Sequence, residues 1–541
     1  MAVVNLDKNQ VKKIIGNLSD DKLNNYLSLF GLGVENISEK SIDVEVTPNR
    51  PDMLSQSGIL RALESYTGKK TGLRKYKINK PEKNFQVKID SSVKNVRPFT
   101  ACAIVKNLKF NDEKIKEIID IQEKIHSTLG RNRKKIAIGI YPLEKITLPI
   151  KFEARKPEDI NFIPLEASEE MNGLQILQRH PTGREYAFLL EGMKKFPVFV
   201  DAKNEILSLP PIINSHKTGK ITEKTKDIFI ECSGFDFSVL SKTLNILVTM
   251  LSDMHGNIYQ MKLNYEKPVL TPNLKPEKMK LNMENVNKLL GIKLNEKEIK
   301  KYLERMGYNY KNKNVEIPSY RVDIMHPVDL IEDIAIAYGY DKFIPEIPQI
   351  STIGEESEKE SSKRKISEIF AGLGMLECSS LHLITQEDAK KAGMKDFIEV
   401  EESKSDYKIL RGKLLINSLK ILRDNTDAEY PQKIFETGVV FSKDEKEETG
   451  IKEKNNLACS ISPGNFTEIK QILEYLGRML DRKFEIQETR DERFIDGRCG
   501  KIIYSGKDVG IIGEISPQML KSWHLKMPVS SFEICVDDIL N

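Results

Sequence analysis

Asp329, Glu332 and Asp333 stand at i, i+3 and i+4 within residues 317–345, I-P-S-Y-R-V-D-I-M-H-P-V-D-L-I-E-D-I-A-I-A-Y-G-Y-D-K-F-I-P. A short run ending in Asp323 comes first, and Pro327 then opens a helical segment. Helical spacing puts the three carboxylates on one face and turns Leu330, Ile331 and Ile334 toward another. Carboxylates so placed repel unless something positive sits over them. That chemistry suits a Mg²⁺ ion or a basic partner. An acidic first turn favoured by the helix dipole accounts for the same residues with no ligand.

A second cluster lies at 207–220, L-S-L-P-P-I-I-N-S-H-K-T-G-K. Its adjacent prolines fix the backbone without offering amide donors, and Asn214, Ser215, His216 and Thr218 follow. Asn214 and Ser215 are suited to hold a hydroxyl, an ester or a water, and Glu231 in D-I-F-I-E-C-S-G to accept a proton or hydrogen bond. A loop closed by Asx and Ser turns explains the first four as well. The run R-N-R-K-K at 131–135 either meets phosphates or is a solvated charge run. Arg498 and Glu514, on successive strands near the end, have no base or nucleophile around them and read as structural.

Other chemistries lack their residues. No G-x-G-x-x-G and no G-x-x-x-x-G-K-[ST] is present, and no G-x-S-x-G elbow. The seven histidines form no HExxH and no close pair, which argues against catalytic zinc. Six cysteines lie far apart with no CxxC, as buried thiols of a reducing compartment would.

The elements that must position these residues follow from periodicity. Helices are expected over 8–16, about 20–30 and from Ser55 or Gln56 onward, with a strand through Ile42, Val44 and Val46. After a basic joint at 69–81, strands are expected at 98–106, 135–140, 196–201, 227–232 and 257–264, with a helix near 112–129. Helices at 283–290 and 295–306 end at Gly291 and Gly307, and a strand reaches Ile317 before the acidic helix. The last stretch offers strands at 376–384, 434–441, 499–504, 509–515 and 531–536, and helices at 411–422 and 466–480.

This pattern divides the 541 residues into a 1–75 α/β unit, an 85–265 mixed domain, a 280–345 unit, a 346–364 linker and a 365–541 unit. Charged residues make up 30%, but 84 Lys+Arg against 80 Asp+Glu leaves only +4, so any nucleic-acid contact must be local. With no 18-residue apolar run and no basic leader, the expected location is cytoplasmic.

V-E-V-T-P-N-R-P-D-M-L-S at 44–55 and Y-R-V-D-I-M-H-P-V-D-L-I-E-D-I-A-I-A-Y-G-Y-D at 320–341 resemble the phenylalanyl-tRNA synthetase β-subunit family. So do P-P-I-I-N-S at 210–215, I-F-E-T-G-V-V-F at 434–441 and V-G-I-I-G-E-I-S-P at 509–517, in order across nearly the whole chain. Length and opening resemble the archaeal and eukaryotic type, without the accessory tRNA-binding modules of the bacterial one.

The resemblance implies a multidomain α/β and α+β chain. Its terminal domain would be a degenerate class II aminoacyl-tRNA synthetase-like antiparallel sheet with helices, carrying no residues for aminoacylation. It implies an α₂β₂ heterotetramer in which the α subunit binds ATP and charges tRNA(Phe). By family pattern, Asp323, Asp329, Glu332 and Asp333 would bind Mg²⁺ shared with α. The central domain would hydrolyse mischarged Tyr-tRNA(Phe), with Asn214, Ser215 and Glu231 as candidate residues and His216 as a candidate base. The rival reading is a tRNA-positioning scaffold with no hydrolytic activity.

Overall fold

The computed structural model describes residues 2–347, 353–394 and 396–540; positions 348–352 of the expected linker lie outside them. The chain forms two compact units, Met1–Glu346 and Ile347–Asn541.

In the first unit, Lys8–Ile15, Asp20–Phe30 and Gln56–Tyr66 are helices beside a three-stranded sheet. Ser41–Val46 is its middle strand, between Ala2–Asp7 and Gly33–Ile37. Ser55 starts the third helix by accepting from the Gly58 amide. The flanking strands went unforeseen because few of their side chains are buried: only Val4 and Leu6 in one, none in the other.

The central part is an eleven-stranded mixed sheet. Its path runs Ile213–Asn214, Ile206–Leu209, Phe196–Val200, Ile150–Arg155, Gln86–Ile89, Asn257–Asn264, Phe99–Lys106, Ile228–Gly234, Ile136–Pro142. One face packs against the helices Asp112–Ser127 and Phe237–Asp253. The other closes over an inner core that includes Tyr141, Phe152, Phe199 and Phe229. Phe237–Asp253 escaped the periodicity reading because ten of its seventeen residues are buried, so it lacks a polar face along most of its length.

The third part places Met283–Leu290, Glu296–Arg305 and Pro327–Tyr338 as helices beside a three-stranded sheet, with Gly291 in the left-handed region at φ 69°. The three parts share one core. Leu27 and Ile59, Ile230 and Leu247, and Leu303 and Ile331 belong to the same buried cluster. Each such side chain contributes about 1.5–3 kcal/mol of burial.

The second unit is a seven-stranded sheet ordered Leu376–Glu377, Gln432–Lys443, Ile451–Ser462, Ser530–Cys535, Lys507–Ile515, Phe494–Tyr504, Glu485–Glu488. Every neighbouring pair is antiparallel except the first. Helices Glu358–Gly372 and Phe466–Leu480 share one of its cores and Leu415–Asp424 another. This is the antiparallel sheet with helices expected of the terminal domain. Ile451–Ser462 was not foreseen, since its first half reads I-K-E-K-N-N and only one of those six residues is buried. Arg498 and Glu514 pair with each other at 2.6 Å.

Candidate active site

Strand alternation builds the site. On Ile228–Gly234 and Ile136–Pro142, Ile228, Ile230 and Cys232, with Ile136, Ile138 and Ile140, feed the outer core. Phe229 and Tyr141 turn to the inner core, and Glu231 and Gly139 follow them at the next pleat. Glu231 lies directly opposite Gly139.

The two ends of the sheet path meet here. The Tyr141 hydroxyl, near one end, donates toward Asn214 Oδ1 at the other, 3.3 Å away. Arg133 Nη1 donates to the Ile212 carbonyl at 2.8 Å. At this seam a cavity of about 180 Å³ opens, lined among others by Glu231, Asn214, Ser208, His180, Arg133 and Ile138. A cavity of about 150 Å³ accommodates a benzene ring, so this one has room for a single substituted ring.

Its walls carry unmet hydrogen-bonding capacity. Among the described residues, eleven buried side-chain nitrogen or oxygen atoms have no partner, and four belong to this lining: Arg133 Nε, His180 Nδ1, Ser208 Oγ and Glu231 Oε2. Each costs about 1–3 kcal/mol if left unmet. Their concentration in one cavity points to a polar ligand.

Glu231 is almost wholly buried, and burial pushes its carboxyl up to about 8, against the pull of Arg97, of its bond from Tyr141 and of the Ser233 hydroxyl. At neutral pH it is therefore mostly the neutral acid, able to donate as well as accept. Arg97 donates to Ser233 Oγ and to the Ser233 carbonyl at 3.1 and 2.6 Å. Burial lowers its guanidinium to about 10 despite Glu231. Burial, and then Glu231, hold the Tyr141 phenol well above its ordinary value, so it stays a hydroxyl.

Two histidines line the cavity and differ in what they leave available. His126 Nε2 accepts from the Ile138 amide at 2.9 Å, which puts the proton of the neutral ring on Nδ1, facing Glu123 at 3.4 Å. Burial lowers its pKa further. Both nitrogens are thus committed. Glu123 is held down to about 2, because His126 and Arg133 outweigh the opposing effect of burial. His180 Nε2 lies 3.1 Å from the Leu165 carbonyl, an acceptor only, so Nε2 carries the hydrogen and Nδ1 keeps an unshared pair.

Of the residues expected from sequence, Asn214 and Glu231 line this cavity. Ser215 and His216 are outside its lining. Ser215 is buried at the start of the short helix His216–Gly219, its amide bonded to the Leu207 carbonyl, and His216 is exposed. Arg133, taken with the basic run, instead ties Glu123 to the Ile212 carbonyl and lies 4.3 Å over the Tyr186 ring. His180, Ser208 and Tyr141 are not among the site residues expected from sequence, although Ser208 lies inside the 207–220 cluster. Only Tyr141 left a signal, through its alternation with Ala137 and Gly139.

The four carboxylates read as a magnesium site do not all converge: Asp323 and Asp333 meet at Arg321, while Asp329 and Glu332 stand apart. Asp323 is gripped by Arg321 through both oxygens, at 2.9 and 2.7 Å. Asp333 is buried and takes Arg321 Nη2 at 2.8 Å together with the Tyr308 hydroxyl. Asp329 caps its helix by accepting from the Met325 and His326 amides, and Glu332 is exposed. Among the described residues no group of three or more His, Cys, Asp or Glu is placed to hold a metal. Carboxylate oxygens suit Mg²⁺ in type, but in this arrangement they do not fit a four-carboxylate site, since the single Arg321 guanidinium already engages two of them.

Family models match three segments: B3/4 domain at 83–250, tRNA synthetase B5 domain at 279–340, and phenylalanyl tRNA synthetase beta chain CLM domain at 344–536. The chain is 38% identical to the phenylalanine–tRNA ligase beta subunit of Archaeoglobus fulgidus over 99% of its length and 98% of that protein's. Identity to the Thermococcus sibiricus protein of the same name is also 38%, over 90% of this chain and 88% of that one. A crystal structure of an N-terminal fragment of the Pyrococcus horikoshii phenylalanyl-tRNA synthetase beta-subunit superposes with a TM-score of 0.59 at 33% identity. It covers 62% of this chain and 99% of the fragment.

Proposed function

The chain belongs to the phenylalanine–tRNA ligase β-subunit family, and from that premise we propose that its seam cavity hydrolyses tyrosine wrongly esterified to tRNA(Phe). The chain works as the β subunit of an α₂β₂ ligase. The α subunit binds ATP and forms the aminoacyl ester, while β supplies scaffold and proofreading, in the cytoplasm. Among the described residues no helix is long and apolar enough to cross a membrane.

The chemistry supplies the need. A pocket shaped for phenylalanine meets tyrosine as the same ring plus a hydroxyl, and an apolar pocket rejects that addition only about 10²-fold. A second site that requires the hydroxyl works in the opposite sense. Phenylalanine leaves its polar groups unpaired, whereas tyrosine satisfies them.

One observation carries this reading: the unpartnered Glu231 Oε2 in the wall of a cavity with room for one ring. As the neutral acid, Glu231 donates to the phenolic oxygen or accepts from its proton. Tyr141 and Asn214 already form a hydroxyl-to-amide pair beside it, which orients the acceptor. The test is to incubate the assembled complex with Tyr-tRNA(Phe) and Phe-tRNA(Phe) and follow deacylation of each. Rapid loss of the first with retention of the second supports the proposal. Equal stability of both leaves only the scaffold role.

A further inference from the structure

A second cavity, about 340 Å³, adjoins the first and shares three of its lining residues, Glu166, His180 and Thr182. The remainder of its wall includes Ser168, Glu169 and Arg179. Its volume is at the lower end of small-ligand pockets. The two chambers therefore meet at a common wall, and His180 is part of it. That side chain is 6% exposed, is held by the Nε2 bond to the Leu165 carbonyl, and leaves Nδ1 without a partner.

We propose that His180 is the general base of the hydrolysis, acting through Nδ1 on a water at the junction of the two chambers. The inference rests on the proofreading reading above and deepens it. An aminoacyl ester joins two bodies, a side chain and a terminal nucleoside. With the tyrosine ring in the smaller chamber and the nucleoside in the larger, the ester linking them lies at the shared wall. His126, the other buried histidine of the lining, is unsuited, because its Nε2 is taken by the Ile138 amide.

The step balances with water as the only co-reactant. As the water oxygen bonds to the ester carbonyl carbon, its proton passes to His180 Nδ1. The carbon–oxygen bond to the ribose then breaks, and the imidazolium returns that proton to the departing ribose oxygen. Free amino acid and a terminal hydroxyl are released, and the ring is neutral again. The Leu165 carbonyl fixes the tautomer in which Nδ1 is the basic nitrogen.

The test uses the assembled complex with His180→Gln. A glutamine amide nitrogen reaches the same carbonyl, so the anchor is kept while the basic nitrogen is lost. We expect kcat for Tyr-tRNA(Phe) deacylation to fall about 10²- to 10⁴-fold, the usual contribution of a general base. KM and thermal midpoint stay near those of the parent. A fall in kcat smaller than about tenfold, or a loss expressed in KM instead, overturns the assignment. In the unmodified complex the same proton transfer predicts a solvent deuterium isotope effect on kcat; its absence overturns the assignment whether or not the variant assembles. If the parent complex itself leaves Tyr-tRNA(Phe) intact, the proofreading reading has failed. Parent activity that survives unchanged in His180→Gln defeats only the role of His180.

Discussion

Gly139 faces Glu231 across neighbouring antiparallel strands, and the side chain missing from the one makes room for the carboxyl of the other. A Cβ on Gly139 would come within 2.6 Å of Glu231 Oε1 and closer still to the Tyr141 hydroxyl. Its backbone is ordinary strand, so the requirement is space, not conformation. Gly139→Ala should push both polar groups out of place, destabilising the complex by about 1–3 kcal/mol. Proofreading should suffer more than stability. The check is deacylation of Tyr-tRNA(Phe) beside a thermal melt, and parent-like hydrolysis would show that this close approach is unimportant.

Glu231→Ala and Asn214→Ala remove the acceptor and the orienting amide. Both variants should accumulate stable Tyr-tRNA(Phe) while forming Phe-tRNA(Phe) at the parent rate. Glu231→Gln keeps the shape and a donor, so its loss should be smaller than that of Glu231→Ala. Leaving one buried polar group unpaired costs about 1–3 kcal/mol, or roughly five- to a hundredfold in discrimination. Steady-state competition between the two amino acids measures it directly.

The elevated carboxyl also carries a pH signature. Glu231 titrates at about 8 in the folded chain against 4.5 ordinarily, so between these values the folded state holds a proton that the unfolded state has released. Stability contributed by this group is complete below about 4.5 and is lost as pH rises through about 8. The slope for one proton is at most about 1.4 kcal/mol per pH unit. Glu231→Gln abolishes it. Melts of parent and variant across this window should therefore diverge in the variant's favour as pH rises, and parallel curves would refute the assignment.

The sequence disclosed this architecture unevenly, for physical reasons. Pro327–Tyr338 and Met283–Leu290 were legible because each has one apolar face and a marked end, Pro327 in the first and Gly291 in the second. Phe237–Asp253 has no such contrast, being buried along most of its length. In the site, Asn214 and Glu231 could be picked out as polar residues in apolar surroundings. Their partners could not. Tyr141 and Glu231 are 90 positions apart, and Tyr141 and Asn214 are 73 apart. The curvature that joins the two ends of the sheet is a tertiary property. His180, a lone histidine before a proline, becomes distinctive only when its two nitrogens are seen to have different neighbours.

The carboxylates of the acidic helix show the reverse case, where sequence spacing suggested a common target that the fold divides. Arg321 is 6% exposed and joins Asp323 to the buried Asp333. Asp323 and Asp333 hold it well above its ordinary pKa, against burial. Removing it as Arg321→Met leaves two carboxylates and the Tyr308 hydroxyl around an uncompensated charge. Breaking a buried pair from one side costs about 3–5 kcal/mol. Adding Asp333→Asn in the same chain removes one of the two negative charges and should recover part of that loss, since less charge is then left unpaired. If the guanidinium is what neutralises this cluster, chelating divalent cations from the assembled complex should shift its thermal midpoint far less than Arg321→Met does. A chelator effect as large as that of the substitution, reversed by adding Mg²⁺, would show that these carboxylates rearrange around a metal in the complex.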